Sequence, residues 1–222
     1  MPTVTWDRLA EERRLAVTEA AEAEIVRHGF SNASLNTIAR NAGVAKGSLF
    51  QYFDDKADLC GYIADRASNR IRGHFQAIMA ELDWGTGLLP PMMQLIGEWV
   101  RYFYSNPVDL ALTAATNLES DPTARAVVRE RANHHYLAIL RPLMETALGT
   151  GQLKPETDVK ALMFAIGVLL PHLALSPHIG GLDPLLGLEN ADAETAVLQA
   201  QRVVAVIVAP YIVALADEPL EP

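Results

Sequence analysis

Apolar positions recur at helical spacing along almost the whole chain. Val17, Ala20, Ala21, Ile25 and then Phe30 form one stripe, which predicts a first helix over about 7–28 ending at Gly29. Ser34 is a good N-cap for a second helix that stops near Gly43, and a third runs from about Ala45 to Phe53. Asp55, with Asp58 three residues on, reads as the capped start of a fourth helix. Its apolar side carries Ile63, Ala67, Ile71 and Phe75 and leaves Arg66, Arg70 and Arg72 mostly exposed. β-branched residues do not fall in alternating runs, and no internal repeat is evident.

The stretch DWGTGLLPP (83–91) breaks the pattern and marks a domain junction. Beyond it, helices are predicted at about 91–105, 108–118, 122–148, 157–175 and 193–216. Pro107, Pro122 and Pro155 sit near helix starts, and Pro142 falls inside one, predicting a kink. A long Gly/Pro-rich connection, 176–190, precedes the last helix. The expectation is an all-α protein divided into 1–55, a connecting helix over 56–82, and a larger helical part over 83–222.

Half of the 222 residues are hydrophobic, so a sizeable core is available. The start is charged and has no apolar export segment, and the single cysteine, Cys60, cannot form an internal disulfide. Both point to the cytoplasm, with Cys60 a packed thiol. The apolar stretches 161–177 and 203–215 are too short or too interrupted by Gly and Pro to span a membrane. Each is read as a buried helix or a subunit interface.

A net charge of −9 first argues against nucleic acid. Its distribution reverses that. Residues 1–75 hold ten basic and ten acidic side chains and are neutral, whereas 76–222 hold eight against seventeen and carry the whole excess. Lys and Arg near the N-terminus can therefore still meet phosphates.

The segment 34–56, SLNTIARNAGVAKGSLFQYFDDK, is the most informative. Leu35, Ile38, Ala39, Val44, Leu49 and Phe53 can close on one another across a glycine-centred turn. Asn36, Lys46, Gly47, Ser48, Gln51 and Tyr52 are left on another surface. A buried seam behind a polar, partly basic short helix is what a DNA-reading helix-turn-helix requires. Gln51 could read adenine, Lys46 could reach guanine or phosphate, and Ser48 with the amides near Gly47 would fix register on phosphates.

Ala20-Ala21, Gly29-Phe30, Ile38-Ala39, Ala42-Gly43-Val44, the run 46–50, Tyr52-Phe53 and the run 56–59 together resemble the tetracycline-repressor (TetR) family of bacterial transcription regulators. The likeness covers about 17–59. It implies a homodimer with a three-helix DNA-binding domain and a ligand-responsive helical core. Carried over by position, it makes Ser34, Asn36, Lys46, Gly47, Ser48, Phe50, Gln51, Tyr52 and Lys56 the DNA-contacting set. Two departures stand out: Phe50 where many members have tyrosine, and Glu24 where an aliphatic residue is common, so that Glu24 must tilt outward or find a partner.

Aromatic and apolar residues of the later helices are core by base rate, yet Trp99, Tyr102, Phe103, Tyr136, Met163, Phe164 and His172 could line a ligand cavity. His172 is more often a satisfied core histidine. His134 and His135 point about 100° apart on a helix and do not share a metal ion; they are partly exposed or hydrogen-bonded. No HExxH, GxSxG, Walker A or GxGxxG pattern is present, so neither an enzyme nor a cofactor or metal is expected.

The sequence thus favours a repressor relieved by an apolar or amphipathic small molecule, acting on a palindromic operator as a homodimer joined through its last two helices. A constitutive DNA-binding protein without an effector stays open. So does an all-α small-molecule-binding protein or enzyme that does not touch DNA.

Overall fold

A computed structural model describes residues 2–213. Among the described residues ten α-helices follow one another: α1 (Val4–Asp7), α2 (Glu11–Asn32), α3 (Leu35–Asn41), α4 (Lys46–Tyr52), α5 (Lys56–Glu81), α6 (Leu89–Ser105), α7 (Pro107–Leu118), α8 (Pro122–Gly149), α9 (Val159–Leu175) and α10 (Ala193–Val208). Among the described residues there is no strand, only one isolated bridge between Leu153 and Ile212. The all-α expectation is met.

Two compact units interleave along the chain. The first joins Met1–Gly73 to Asn106–Tyr136, and the second joins His74–Ser105 to Leu137–Pro222.

In the first unit, Val17, Ala21, Ile25 and Phe30 of α2 meet Ile38, Leu49, Phe53 and Ile63 in one buried cluster. The helical spacing of α2 is satisfied as far as Gly29, whose φ of 74° breaks the helical path at the predicted stop. Glycine adopts that conformation without the Cβ clash that any other residue would meet. Helix α2 begins at Glu11 rather than near Asp7, and a separate single turn, α1, with its buried Trp6, precedes it.

Arg70 is exposed, as expected, and is also bound within the same unit. Its Nε donates to both carboxylate oxygens of Asp109 on α7, at 3.0 and 3.2 Å, and its Nη1 reaches Glu22 on α2 at 3.2 Å. Asp109 is buried, so this two-pronged pairing supplies the compensation that a desolvated carboxylate requires. His135 is also buried, its Nε2 lying 2.9 Å from Asp65, while His134 is exposed.

In the second unit α6 crosses α10 closely. Gly97 sits at that crossing, where a Cβ would lie 3.4 Å from Val197 and 3.3 Å from Gln201. Gln201 also donates to the Met93 carbonyl at 2.9 Å. Phe75, Trp99, Tyr102 and Phe103 form a tilted and edge-on ring cluster with centroids 5.0–5.7 Å apart. The last helix ends at Val208, followed by a 3₁₀ turn, Ala209–Tyr211. The remainder of the sequence-expected helix, 214–216, lies outside the described residues.

Candidate nucleic-acid interface

Each end of the helix-turn-helix is fixed by a specific donor or acceptor. Ser34 caps α3, its hydroxyl oxygen accepting from the Thr37 amide at 3.3 Å. Glu24 then accepts from the Ser34 amide at 3.0 Å. It is buried, so it neither tilts outward nor spoils the aliphatic stripe; it anchors the start of α3 from within.

The turn closes as a Schellman motif. The Val44 amide donates to the Ala39 carbonyl at 3.0 Å and the Gly43 amide to the Arg40 carbonyl at 3.2 Å. Gly43 has φ +67° with open space around its Cα, so the turn's demand is conformational rather than steric. Ala39 and Leu49 are buried behind it.

This scaffold presents α4 outward. Lys46, Gly47, Phe50 and Gln51 are exposed and Ser48 is half-buried, while Asn36 is exposed near the start of α3. Two expected contacts are placed differently. Tyr52, read as part of the polar surface, is only 5% exposed and packs its ring against Trp6, with centroids 5.8 Å apart. It turns inward because α1 offers an aromatic surface that the sequence pattern did not reveal. Lys56 is half-buried, and its Nζ donates to the Ser31 carbonyl at 2.6 Å, tying the first turn of α5 to the end of α2.

Ser31 is a junction. Its amide and hydroxyl donate to Glu119 at the end of α7, at 3.0 and 2.8 Å, and Glu119 also accepts from the Asp121 amide at 2.9 Å. Burial alone would raise the Glu119 pKa. The hydrogen bonds from Asp121 and Ser31 outweigh it and hold the carboxyl below its ordinary value. Asp55 accepts from the Asp58 amide at 2.8 Å, so the capping-box-like start of α5 is present, with Asp58 reaching back to the Asp54 amide at 3.4 Å. Cys60 is buried beside the Phe30 carbonyl, and burial pushes its thiol up to about 11. It is a packed thiol with little thiolate at neutral pH.

Sequence reasoning missed three residues. Arg40 lies one turn after Asn36 on the same face of α3 and is exposed; the i, i+4 spacing was the available signal. Thr3 and Trp6 contact the end of α4 from 46 or more residues away in the chain, and no local pattern announces that.

Of the seven residues read as lining a ligand cavity, some are buried and others face solvent. Trp99, Tyr102, Phe103 and Met163 are buried in the second unit, and Trp99 donates through Nε1 to the Leu170 carbonyl at 2.8 Å. Tyr136 belongs to the first unit. Phe164 is 74% exposed, and His172 is exposed with its Nε2 2.7 Å from the Leu182 carbonyl. Helix α9 is apolar nearly all round, so hydrophobicity alone could not say which side faces in. It buries Met163, Ile166, Leu170 and Leu173 and turns Phe164, Val168 and His172 out. A cleft of about 380 Å³ exists in the first unit, but Trp6, Asp58, Tyr62, Asp65, Glu130 and Arg131 are among its walls, and none of the seven. Among the described residues, no group of three or more His, Cys, Asp or Glu side chains is placed to hold a metal. None of the helices there is long and apolar enough to cross a membrane.

A capped helix, a Schellman turn and a second short helix exposing lysine and glutamine define the helix-turn-helix class of DNA-binding domain. Residues 17–63 match the family model for bacterial regulatory proteins of the tetR family, and this part of the chain is a tetR-family N-terminal domain.

An HTH-type transcriptional regulator of Staphylococcus aureus (strain USA300) is 36% identical over 69 residues, 31% of this chain. The match spans 37% of that regulator's length, so the likeness covers little more than a third of it. Among solved structures, the fatty acid degradation regulator FadR of Bacillus halodurans superposes with a TM-score of 0.67 at 18% identity, covering 85% of this chain and 96% of its own. FadR of Bacillus subtilis, in complex with stearoyl-CoA, gives 0.66 at 19% identity over 88% and 97%. A transcriptional regulator of Pseudomonas aeruginosa PAO1 gives 0.69 at 20% over 93% and 95%. At these identities the likeness is one of fold.

Proposed function

We propose that the protein is a DNA-binding transcriptional regulator, a repressor that an apolar or amphipathic small molecule releases from a palindromic operator. The observation that carries this reading is α4. It is a short helix held rigidly by buried residues on one side while Lys46, Gly47, Phe50 and Gln51 face solvent on the other.

In this reading Gln51 reaches a base edge, Lys46 reaches guanine or phosphate, and Asn36 lies close enough to join at a base edge. Ser34, Ser48, the Gly47 amide and Arg40 set register on phosphates, and Phe50 packs against backbone sugar. Tyr52 and Lys56 act from behind, the first by packing and the second by holding α5 to α2. Residues 1–55 bind DNA, α5 connects, and the part beyond 83 receives the effector.

One copy of so short a helix reads few base pairs, so a homodimer in the cytoplasm is the working form. Phe164 and Val168 on α9 and Leu198 and Val206 on α10 supply an exposed apolar stripe that a second copy would cover. The Bacillus subtilis FadR, in complex with stearoyl-CoA, is a precedent within this fold for an amphipathic ligand. Release is a population shift, in which ligand favours a form holding the two reading heads at the wrong separation. Moving such an equilibrium from 1:99 to 99:1 takes about 5.5 kcal/mol of differential affinity.

The test is a gel shift with the DNA upstream of the gene, using wild type and the Lys46→Ala and Gln51→Ala variants. Selective binding that both substitutions weaken supports the reading. Binding that neither changes rules out α4 as the reading helix.

A further inference from the structure

Helix α4 is seven residues long, and a helix that short does not hold itself in water. Its own sequence supplies no side-chain cap at the N-terminus. At the C-terminus Phe53 leaves the helix with extended backbone (φ −134°, ψ 137°), so no glycine-type cap closes it either. The carbonyls of Gln51 and Tyr52 are among those with no partner inside the helix. Both are taken by one distant residue. The Thr3 hydroxyl donates to the Gln51 carbonyl at 2.5 Å, and the Thr3 amide donates to the Tyr52 carbonyl at 2.9 Å.

Thr3 occupies the N-cap position of α1, where a threonine hydroxyl ordinarily accepts from its own helix; here it makes no such bond. Its polar group is committed to α4. One turn on, Trp6 is 2% exposed, with its ring centroid 4.9 Å from Phe53, 5.8 Å from Tyr52 and 5.3 Å from Tyr62 of α5. The four-residue α1 and its N-cap therefore join the end of α4 to α5 by two hydrogen bonds and a cluster of tilted and edge-on rings.

We propose that Thr3 and Trp6 are positioning residues for the reading helix, setting sequence selectivity without touching DNA. The proposal rests on reading α4 as the DNA-contacting helix. Gln51 is the residue whose side chain faces the groove in that reading and whose carbonyl Thr3 holds. A seven-residue helix is about 10 Å long, so once its C-terminal end is released a pivot of about 10° about the N-terminal end moves the Gln51 end by nearly 2 Å. A bidentate base contact does not survive such a shift, because its geometry fails within a few tenths of an ångström. Lysine on phosphate tolerates it. Loss of the strut should thus lower affinity for the preferred sequence and leave non-specific binding in place.

The experiment uses the full chain and two duplexes of equal length: the best binder selected by wild type from a random-sequence pool, and an unselected random sequence. Thr3→Val removes the hydroxyl at nearly constant shape, and Thr3→Ser restores it. Fluorescence anisotropy should show Thr3→Val weakened by about fivefold on the selected duplex, the size expected for one lost hydrogen bond. It should stay within about twofold of wild type on the random one, with Thr3→Ser recovering the selected-duplex affinity. The proposal is overturned if Thr3→Val binds the selected duplex as wild type does, loses equally on both, or is matched by Thr3→Ser. Failure of wild type to select any sequence would appear before a variant is made and would overturn the DNA-reading function itself.

Discussion

Glu119 is the side chain whose removal tests the packing of the first unit most sharply. It is 7% exposed and accepts three hydrogen bonds, from the Ser31 amide at 3.0 Å, the Ser31 hydroxyl at 2.8 Å and the Asp121 amide at 2.9 Å. Glu119→Gln keeps the shape but loses the charge, and it turns an amide NH2 toward one of those donors. Hydrogen bonds to a charged acceptor contribute about 1.5–3 kcal/mol each and are not additive, so a net loss of about 2 kcal/mol at pH 7 is expected. The sign of the pH dependence follows from the lowered pKa. A carboxyl held below its unfolded value contributes stability that is complete above the unfolded pKa and disappears as pH falls through the folded one. Protonated Glu119 resembles glutamine, so the gap between wild type and variant should close below the ordinary carboxylate range. Urea unfolding followed by far-UV circular dichroism at pH 7, 5 and 3.5 measures it. A variant as stable as wild type at pH 7, or a gap that persists unchanged at pH 3.5, refutes the reasoning.

Gly43→Ala should cost about 1 kcal/mol of stability in the same assay, since the site has room for the methyl group but φ +67° disfavours it; an unchanged midpoint would contradict the Schellman geometry. Phe164→Glu combined with Val206→Glu places charge on side chains that are 74% and 72% exposed, so the fold should persist while sedimentation shifts from dimer to monomer. A dimer that survives both changes would place the subunit interface elsewhere. Lys46→Ala should reduce the slope of log K against log salt by about one, whereas Gln51→Ala should relax sequence preference and leave that slope alone. Equal slopes for wild type and Lys46→Ala would take Lys46 off the phosphates.

What the sequence made legible was punctuation and period. The break at Gly29, the cap at Ser34, the turn at Gly43 and the capped start of α5 are all written in residues that act within a few positions of themselves. The unit-level contacts were not. Nothing local says that Glu24 points inward to the Ser34 amide, that Arg70 pairs with Asp109, or that Lys56 is spent on the Ser31 carbonyl. The same limit explains α9. With apolar residues on nearly every face, Met163 and Phe164 look alike in sequence, yet one is buried and the other lies in the open. Tyr52 is the instructive case within the interface. Its inward turn depends on Trp6, which belongs to a helical turn too short for periodicity to register.

The central claim is that two copies of α4 read two major-groove half-sites. Hydroxyl-radical footprinting on the duplex selected by wild type tests it directly. The account predicts two protected patches related by a two-fold axis, with centres about one helical turn (roughly 34–36 Å) or a multiple of it apart, both lost in the Lys46→Ala, Gln51→Ala double variant. A single patch, protection without symmetry, or a footprint that survives the double variant would contradict it.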